Sequence, residues 1–246
     1  MKKYIIYSFL LIFTALALLH TGTVSWARGI LSLTENAFSS RDKPAEKIYR
    51  VETGEKMVAL SFDDGPDSRF TPEVLKILES YGVKATFFVV GSQAEKKPGL
   101  ALEIDRQGHE LANHTWTHPQ MKELDPGQLL SEVASTNLLI NRLTGKQNNY
   151  FRPPRGELTP GDQADLQRLG FTIVMWAVCL ENSQAVTPGQ MSARVLKNIA
   201  PGEIILLHDG LLDRTKTVQA LPLLLEGLKD KGYRAVTVGE LLQLKN

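Results

Sequence analysis

The sequence predicts a parallel α/β domain, arranged either as an open doubly wound sheet or as a barrel. Three observations predict it. Short apolar runs alternate with helical stripes from residue 55 onward. Capping side chains followed by proline mark helix starts, and glycines mark helix ends. Ionisable residues gather just after the apolar runs, where parallel strands present a functional face.

The elements follow in order. Met57–Phe62 is a nearly continuous apolar run, as a strand buried on both faces requires. Further strands are expected at Ala85–Val90, Glu110–Asn113, Tyr150–Phe151, Phe171–Trp176, Ile204–Leu207 and Arg234–Val238. Between them, Leu129, Val133, Ile140 and Leu143 fall on one helical stripe. Met191, Val195 and Ile199 form another, and Leu221, Leu224, Leu225 and Leu228 a third. Thr71-Pro72, Asp125-Pro126, Thr159-Pro160 and Thr187-Pro188 each place a cap before a proline at the first helical position. Gly82, Gly170 and Gly232 stand where a helix must stop before the next strand. About seven strand–helix units result.

The N-terminus has a different character. Lys2 and Lys3 precede an apolar stretch, Tyr4 to Leu19, interrupted only by Ser8 and Thr14. This is the pattern of a secretory signal, and Ser25-Trp26-Ala27 offers a cleavage site after Ala27. The stretch also extends to Trp26, about 20 residues and long enough to cross a bilayer. Residues 1–27 are therefore expected as a signal peptide or as a membrane anchor through residues 4–26. Either one exports the rest of the chain, to the wall or to the outer side of the membrane. Residues 28–54 mix charges with Ser39, Ser40 and Pro44 and hold no period, so they read as a linker. The folded domain is expected over 55–246.

Composition narrows the function. Hydrophobic residues make up 43% and charged residues 22%, which excludes a disordered, collagen-like or polytopic membrane chain. The net charge of +1 gives no electrostatic case for nucleic acid as a partner. The single cysteine, Cys179, excludes an internal disulfide and a multi-thiolate metal site. Of five histidines, His20 belongs to the export segment and His109 to a turn. The other three follow expected strands.

Asp63 and Asp64 end the first strand, before Gly65-Pro66. Neighbours on an extended chain point to opposite sides, so two jobs are implied: one for a metal, one for proton transfer. His114-Thr115-Trp116-Thr117-His118 has a spacing that lets two imidazoles meet one ion. With an Asp from another strand this makes two nitrogens and one carboxylate, with coordination positions left open. Zn²⁺ or another divalent transition metal suits that set, and non-haem Fe(II) oxygenases use it too. Arg152 sits in a rigid Arg-Pro-Pro-Arg-Gly loop, where a guanidinium can clamp a carboxylate. Leu206-Leu207-His208 delivers a third histidine from an apolar strand.

Ser-Phe-Asp-Asp-Gly-Pro, His-Thr-x-Thr-His, Arg-Pro-Pro-x-Gly and Leu-x-His, in this order, resemble the polysaccharide deacetylase (NodB-homology) domain of carbohydrate esterase family 4. The resemblance covers roughly residues 55–244. It implies a distorted (β/α)₇ barrel and metal-dependent removal of acetyl groups from an acetylated polysaccharide. Peptidoglycan or a chitin-like N-acetylglucosamine polymer is the implied substrate, and a monomer is expected. It also implies Asp64, His114 and His118 as ligands of a divalent metal, Zn²⁺ foremost, with Co²⁺ as an alternative. Asp63 becomes the base, His208 the acid and Arg152 the group that holds Asp63. The backbone N–H of Arg155 takes an oxyanion role at a position where the family usually has Tyr. Pro154, Leu206 and Trp176 are expected to border the substrate. A non-catalytic glycan-binding relative with the same fold is the alternative.

The fourth family motif departs from the pattern. Asn182-Ser183 stand at its Asp-Trp positions, after Cys179-Leu180-Glu181. Glu181 is the candidate replacement carboxylate.

Overall fold

The computed structural model describes residues 46–181 and 185–245. The expected export segment, most of the expected linker, and Asn182 and Ser183 lie outside the described residues. No described helix is long and apolar enough to cross a membrane.

Nine strands form one sheet: β1 (Lys47–Ile48), β2 (Met57–Asp63), β3 (Thr86–Val89), β4 (Glu110–Asn113), β5 (Tyr150–Phe151), β6 (Thr172–Val174), β7 (Val178–Cys179), β8 (Ile204–His208) and β9 (Arg234–Val236). Their order is β1-β6-β5-β4-β3-β2-β8-β7, with β9 also on β2. Every strand pairing is parallel. The crossovers carry helices α1 (Phe70–Ser80), α2 (Gly91–Lys96), α3 (Pro98–Arg106), α4 (Pro126–Thr144), α5 (Pro160–Arg168), α6 (Pro188–Asn198) and α7 (Thr215–Asp230). A short α8 (Val238–Leu242) follows β9. The curled parallel sheet with its coat of helices is the distorted barrel that the resemblance implies.

Strand β2 organises the core. Val58, Leu60 and Phe62 pack with Val74, Leu78, Leu221 and Leu224 of the helices. Met57 and Ala59 face the other way and join Phe88, Ala112, Val174 and Val236 from successive strands. Alternation along the strand puts Ser61 and Asp63 on that second, inner side. The interior therefore runs from apolar at the start of the strands to ionisable at their ends.

All seven expected strands are present. The expected Phe171–Trp176 strand is shorter: β6 spans only Thr172–Val174, and the chain leaves the sheet after Val174. The Arg152 guanidinium draws the carbonyls of Val174 and Met175 (Nε to O 3.1 Å, NH2 to O 2.9 Å). The chain resumes at β7, which pairs with β8 instead.

The expected linker also changes. Lys47 and Ile48 pair with Ile173 and Val174, and Val51 is buried, its N–H donating to Gly202 O at 2.8 Å. Residues 47–51, inside the expected linker, thus pack against the sheet. Gly202, at φ +78°, is required there, since a Cβ would overlap Val51 O.

Asp125, Thr159 and Thr187 cap α4, α5 and α6 with proline behind them, as expected. Thr71 does not cap α1. That helix starts at Phe70, and Asp67 Oδ1 accepts from the N–H groups of Arg69 and Phe70. Thr71 instead donates through Oγ1 to the buried Asp209.

Candidate active site

The strand ends bring the predicted residues together. Asp63 is the last residue of β2, and its register partner on β8 is His208. Asp64 takes φ +76°, so the backbone turns at this residue and the two carboxylates part. Gly210 lies against that turn, where a Cβ would collide with Asp64 O. The other described non-glycine residues at positive φ are Thr115, His118, Arg155 and Leu211. All lie in loops after β4, β5 and β8, and such backbone persists only where its surroundings fix it.

Asp64 Oδ1 lies 3.6 Å from His114 Nε2 and 3.3 Å from His118 Nε2. The three donor atoms lie within 4.8 Å of one another. His114 Nδ1 meets the carbonyl of Arg152 at 2.7 Å. A hydrogen bond donated there leaves the Nε2 lone pair facing the cluster. The second oxygen of Asp64 accepts from Arg214 NH2 at 2.9 Å, while Arg214 Nε holds Gly210 O. Burial pushes His118 below its usual value, helped by His114 and opposed by Asp64. Burial works to raise Asp64, but the neighbouring histidines outweigh it and lower this carboxyl.

Asp63 is nearly fully buried and bound by Arg152 NH1 at 2.6 Å. Arg152 has no exposed surface and also packs over the Phe88 ring, 4.1 Å from its centroid. Asp63 Oδ2 remains 3.7 Å from His114 Nε2.

His208 ends β8 with Nδ1 3.2 Å from Glu181 Oε2. Burial disfavours its charge. The Glu181 carboxylate, with Asp63 and Asp64, outweighs burial and raises its pKa above the ordinary 6.5. Glu181 is fixed by Thr217 Oγ1 at 2.6 Å and by the backbone N–H of His208. Burial works to raise Glu181, and the neighbouring His208 charge keeps it low. Cys179 is half-buried beside them. Burial, with Glu181, pushes its thiol up to about 12, so it is no nucleophile at neutral pH.

The remaining predicted residues lie in β8 or in the loops after β5 and β6. Arg155 is exposed in the turn Pro154–Gly156, and Pro154 is buried. Trp176 is half-buried, with Arg152 5.7 Å from its ring centroid. Leu206 is buried in β8, two residues before His208. Asn113 is fully buried, with Nδ2 donating to Val133 O and Oδ1 accepting from Thr115 N–H.

Sequence reasoning missed Arg214, Thr217, Glu132 and Asp209. Glu132, on α4, accepts from the N–H groups of Trp116 and Thr117 and so holds the histidine loop. Asp209 is fully buried, and burial raises its carboxyl to about 7. Its place directly after His208 was a usable signal; the other three carried none.

A family model for polysaccharide deacetylase matches residues 50–174. A peptidoglycan-N-acetylglucosamine deacetylase of Bacillus cereus is 36% identical over 200 residues, covering 80% of this chain and 93% of the relative. A solved peptidoglycan N-acetylglucosamine deacetylase, in complex with an N-hydroxybenzamide, aligns with a TM-score of 0.76 at 35% identity, over 79% of this chain and 92% of that one. A carbohydrate esterase family 4 pseudoenzyme from Bacillus anthracis aligns at 0.74 and 30% identity, over 82% and 70%. The motifs, the strand-end geometry and these relatives agree: the chain belongs to the polysaccharide deacetylases of carbohydrate esterase family 4.

Proposed function

We propose that this chain is an exported, metal-dependent deacetylase that hydrolyses N-acetyl groups on peptidoglycan N-acetylglucosamine. The observation that carries the reading is a pair of separately clamped groups at paired positions of β2 and β8. Arg152 clamps Asp63, and Glu181 clamps His208, beside the donors of Asp64, His114 and His118.

The donor set fits a divalent transition metal. Two imidazole nitrogens and one carboxylate converge, His114 is oriented from behind, and three protein ligands leave positions open. Zn²⁺ is the proposed ion, and Co²⁺ suits the same donors. When bound, such an ion acidifies a water and polarises the acetamide carbonyl.

The side chains then divide the work. Asp63 accepts the proton of the attacking water. Arg152 occupies Asp63 Oδ1, which leaves Oδ2 for that task. The backbone N–H of Arg155 steadies the oxyanion. His208 holds a proton for the departing amine, a poor leaving group until protonated. Pro154, Trp176 and Leu206 border the acetyl group. The relative named for peptidoglycan and the export pattern at residues 1–27 favour a wall polymer.

Asp63→Asn and His208→Ala should each lower acetate release from an N-acetylated glycan by about 100-fold or more, the usual contribution of a general acid or base. Near-normal turnover in either variant sinks the assignment. The altered fourth motif favours a second reading, a glycan-binding relative without turnover. It is supported if the metal-loaded chain releases no acetate from peptidoglycan or chitin oligomers.

A further inference from the structure

We propose that Cys179, Glu181 and His208 form a second metal site, and that a soft divalent ion such as Zn²⁺ bound there switches the enzyme off. The switch rests on the deacetylase reading, whereas the site itself does not.

The geometry is that of a metal centre. One donor atom from each of the three residues lies within 4.8 Å of the others. Glu181 Oε2 is 3.5 Å from Cys179 Sγ and 3.2 Å from His208 Nδ1. A tetrahedral Zn²⁺ with bonds of about 2.0 Å to N and O and about 2.3 Å to S spaces its ligands by about 3.3 Å for N···O and about 3.5 Å for S···O. Both separations are already in place. His208 Nδ1 is enclosed and, despite its nearness to Glu181, makes no aligned hydrogen bond.

The scaffold is rigid. Cys179 ends β7 and Glu181 follows two residues later, and their side chains meet. Cys179 is paired with Leu206 in the sheet, and Leu180 N–H donates to Leu206 O at 2.8 Å. The Arg194 guanidinium holds the carbonyls of Cys179 and Leu180. All three ligand residues are half-buried, so an ion can reach them from solvent.

The donor set also differs in kind from the first cluster. Thiolate and imidazole favour Zn²⁺ or Cd²⁺ over hard ions such as Mg²⁺ and Ca²⁺. On binding, the thiol proton and the Nδ1 proton pass to solvent, and the freed lone pairs become the S–metal and N–metal bonds. His208 can then no longer carry the imidazolium charge, and Glu181 is withdrawn from it. The acid needed by the departing amine is lost while Asp64, His114 and His118 stay untouched.

The test uses the full chain and Cd²⁺ as probe. The wild-type chain should bind a second equivalent and show the ultraviolet absorption of a Cd–thiolate bond. Cys179→Ser should bind one equivalent without that band. His114→Ala should keep the band while losing the first site. Zn²⁺ beyond one equivalent should suppress wild-type acetate release about 100-fold, the contribution of a general acid, and leave Cys179→Ser active. No thiolate band in the wild-type chain, or equal Zn²⁺ inhibition of Cys179→Ser, overturns the proposal. If no glycan is deacetylated under any condition, the deacetylase reading fails, and the Cd²⁺ band still decides the site.

Discussion

On the proposed reading, Arg152 serves fold and chemistry together. Its guanidinium is fully buried, and the fork is filled by Asp63 and two backbone carbonyls. Removing one partner of such a buried pair costs about 3–5 kcal/mol, so the pair has structural weight whatever its part in the proposed chemistry. Glu181 acts on His208 differently, by charge. Burial alone would lower the His208 pKa, and Glu181 reverses the sign. On the proposed reading His208 is the acid, and an acid must be protonated to work, so activity is expected to fall as pH rises through this pKa. Glu181→Gln should therefore shift the alkaline limb of kcat/KM to lower pH and reduce kcat. An unchanged alkaline limb would show that Glu181 does not set the proton on His208. The placement of Asp63, Asp64, His114, His118, Arg152 and His208 at strand ends was legible because each stands at or after a recognisable strand. Arg214, Thr217 and Glu132 were not. They reach the site from a loop and from helices whose sequence gives no sign of which way a polar side chain turns.

At the scale of elements, the long apolar runs and the short β5 were readable, whereas β1 and β7 were not. β2 and β8 are nearly continuous apolar runs and fell where expected. β1 and β7 are two residues each, too short for any period to register. β1 was absorbed into the expected linker because its charged flanks resemble a solvated segment. Its burial now makes a prediction that the linker reading does not. Ile48 packs in the inner core with Val174 and Val236, so Ile48→Ala should destabilise the domain by about 2 kcal/mol in chemical denaturation. A change near zero would mean that β1 is not part of the cooperative unit. Helix starts follow a similar division. Three of the four cap-proline signals hold, and Thr71 fails because its hydroxyl is drawn to the buried Asp209.

For the whole molecule, alternation along parallel strands could not distinguish a barrel from an open sheet. The motifs supplied that choice through their resemblance to a family. The sheet then explains why the site stands where it does. Residues on the inner side of β2 pass from Met57 and Ala59, packed in apolar surroundings, to Asp63 at the open end. Four strand ends deliver charge to a rim that the same sheet holds in place. The most direct measurement is acetate release from peptidoglycan by the purified chain, before chelation, after chelation and after return of Zn²⁺. The account predicts release that is lost on chelation, recovered with one equivalent of Zn²⁺, and absent throughout in Asp63→Asn. Release that continues undiminished after complete removal of metal would contradict it.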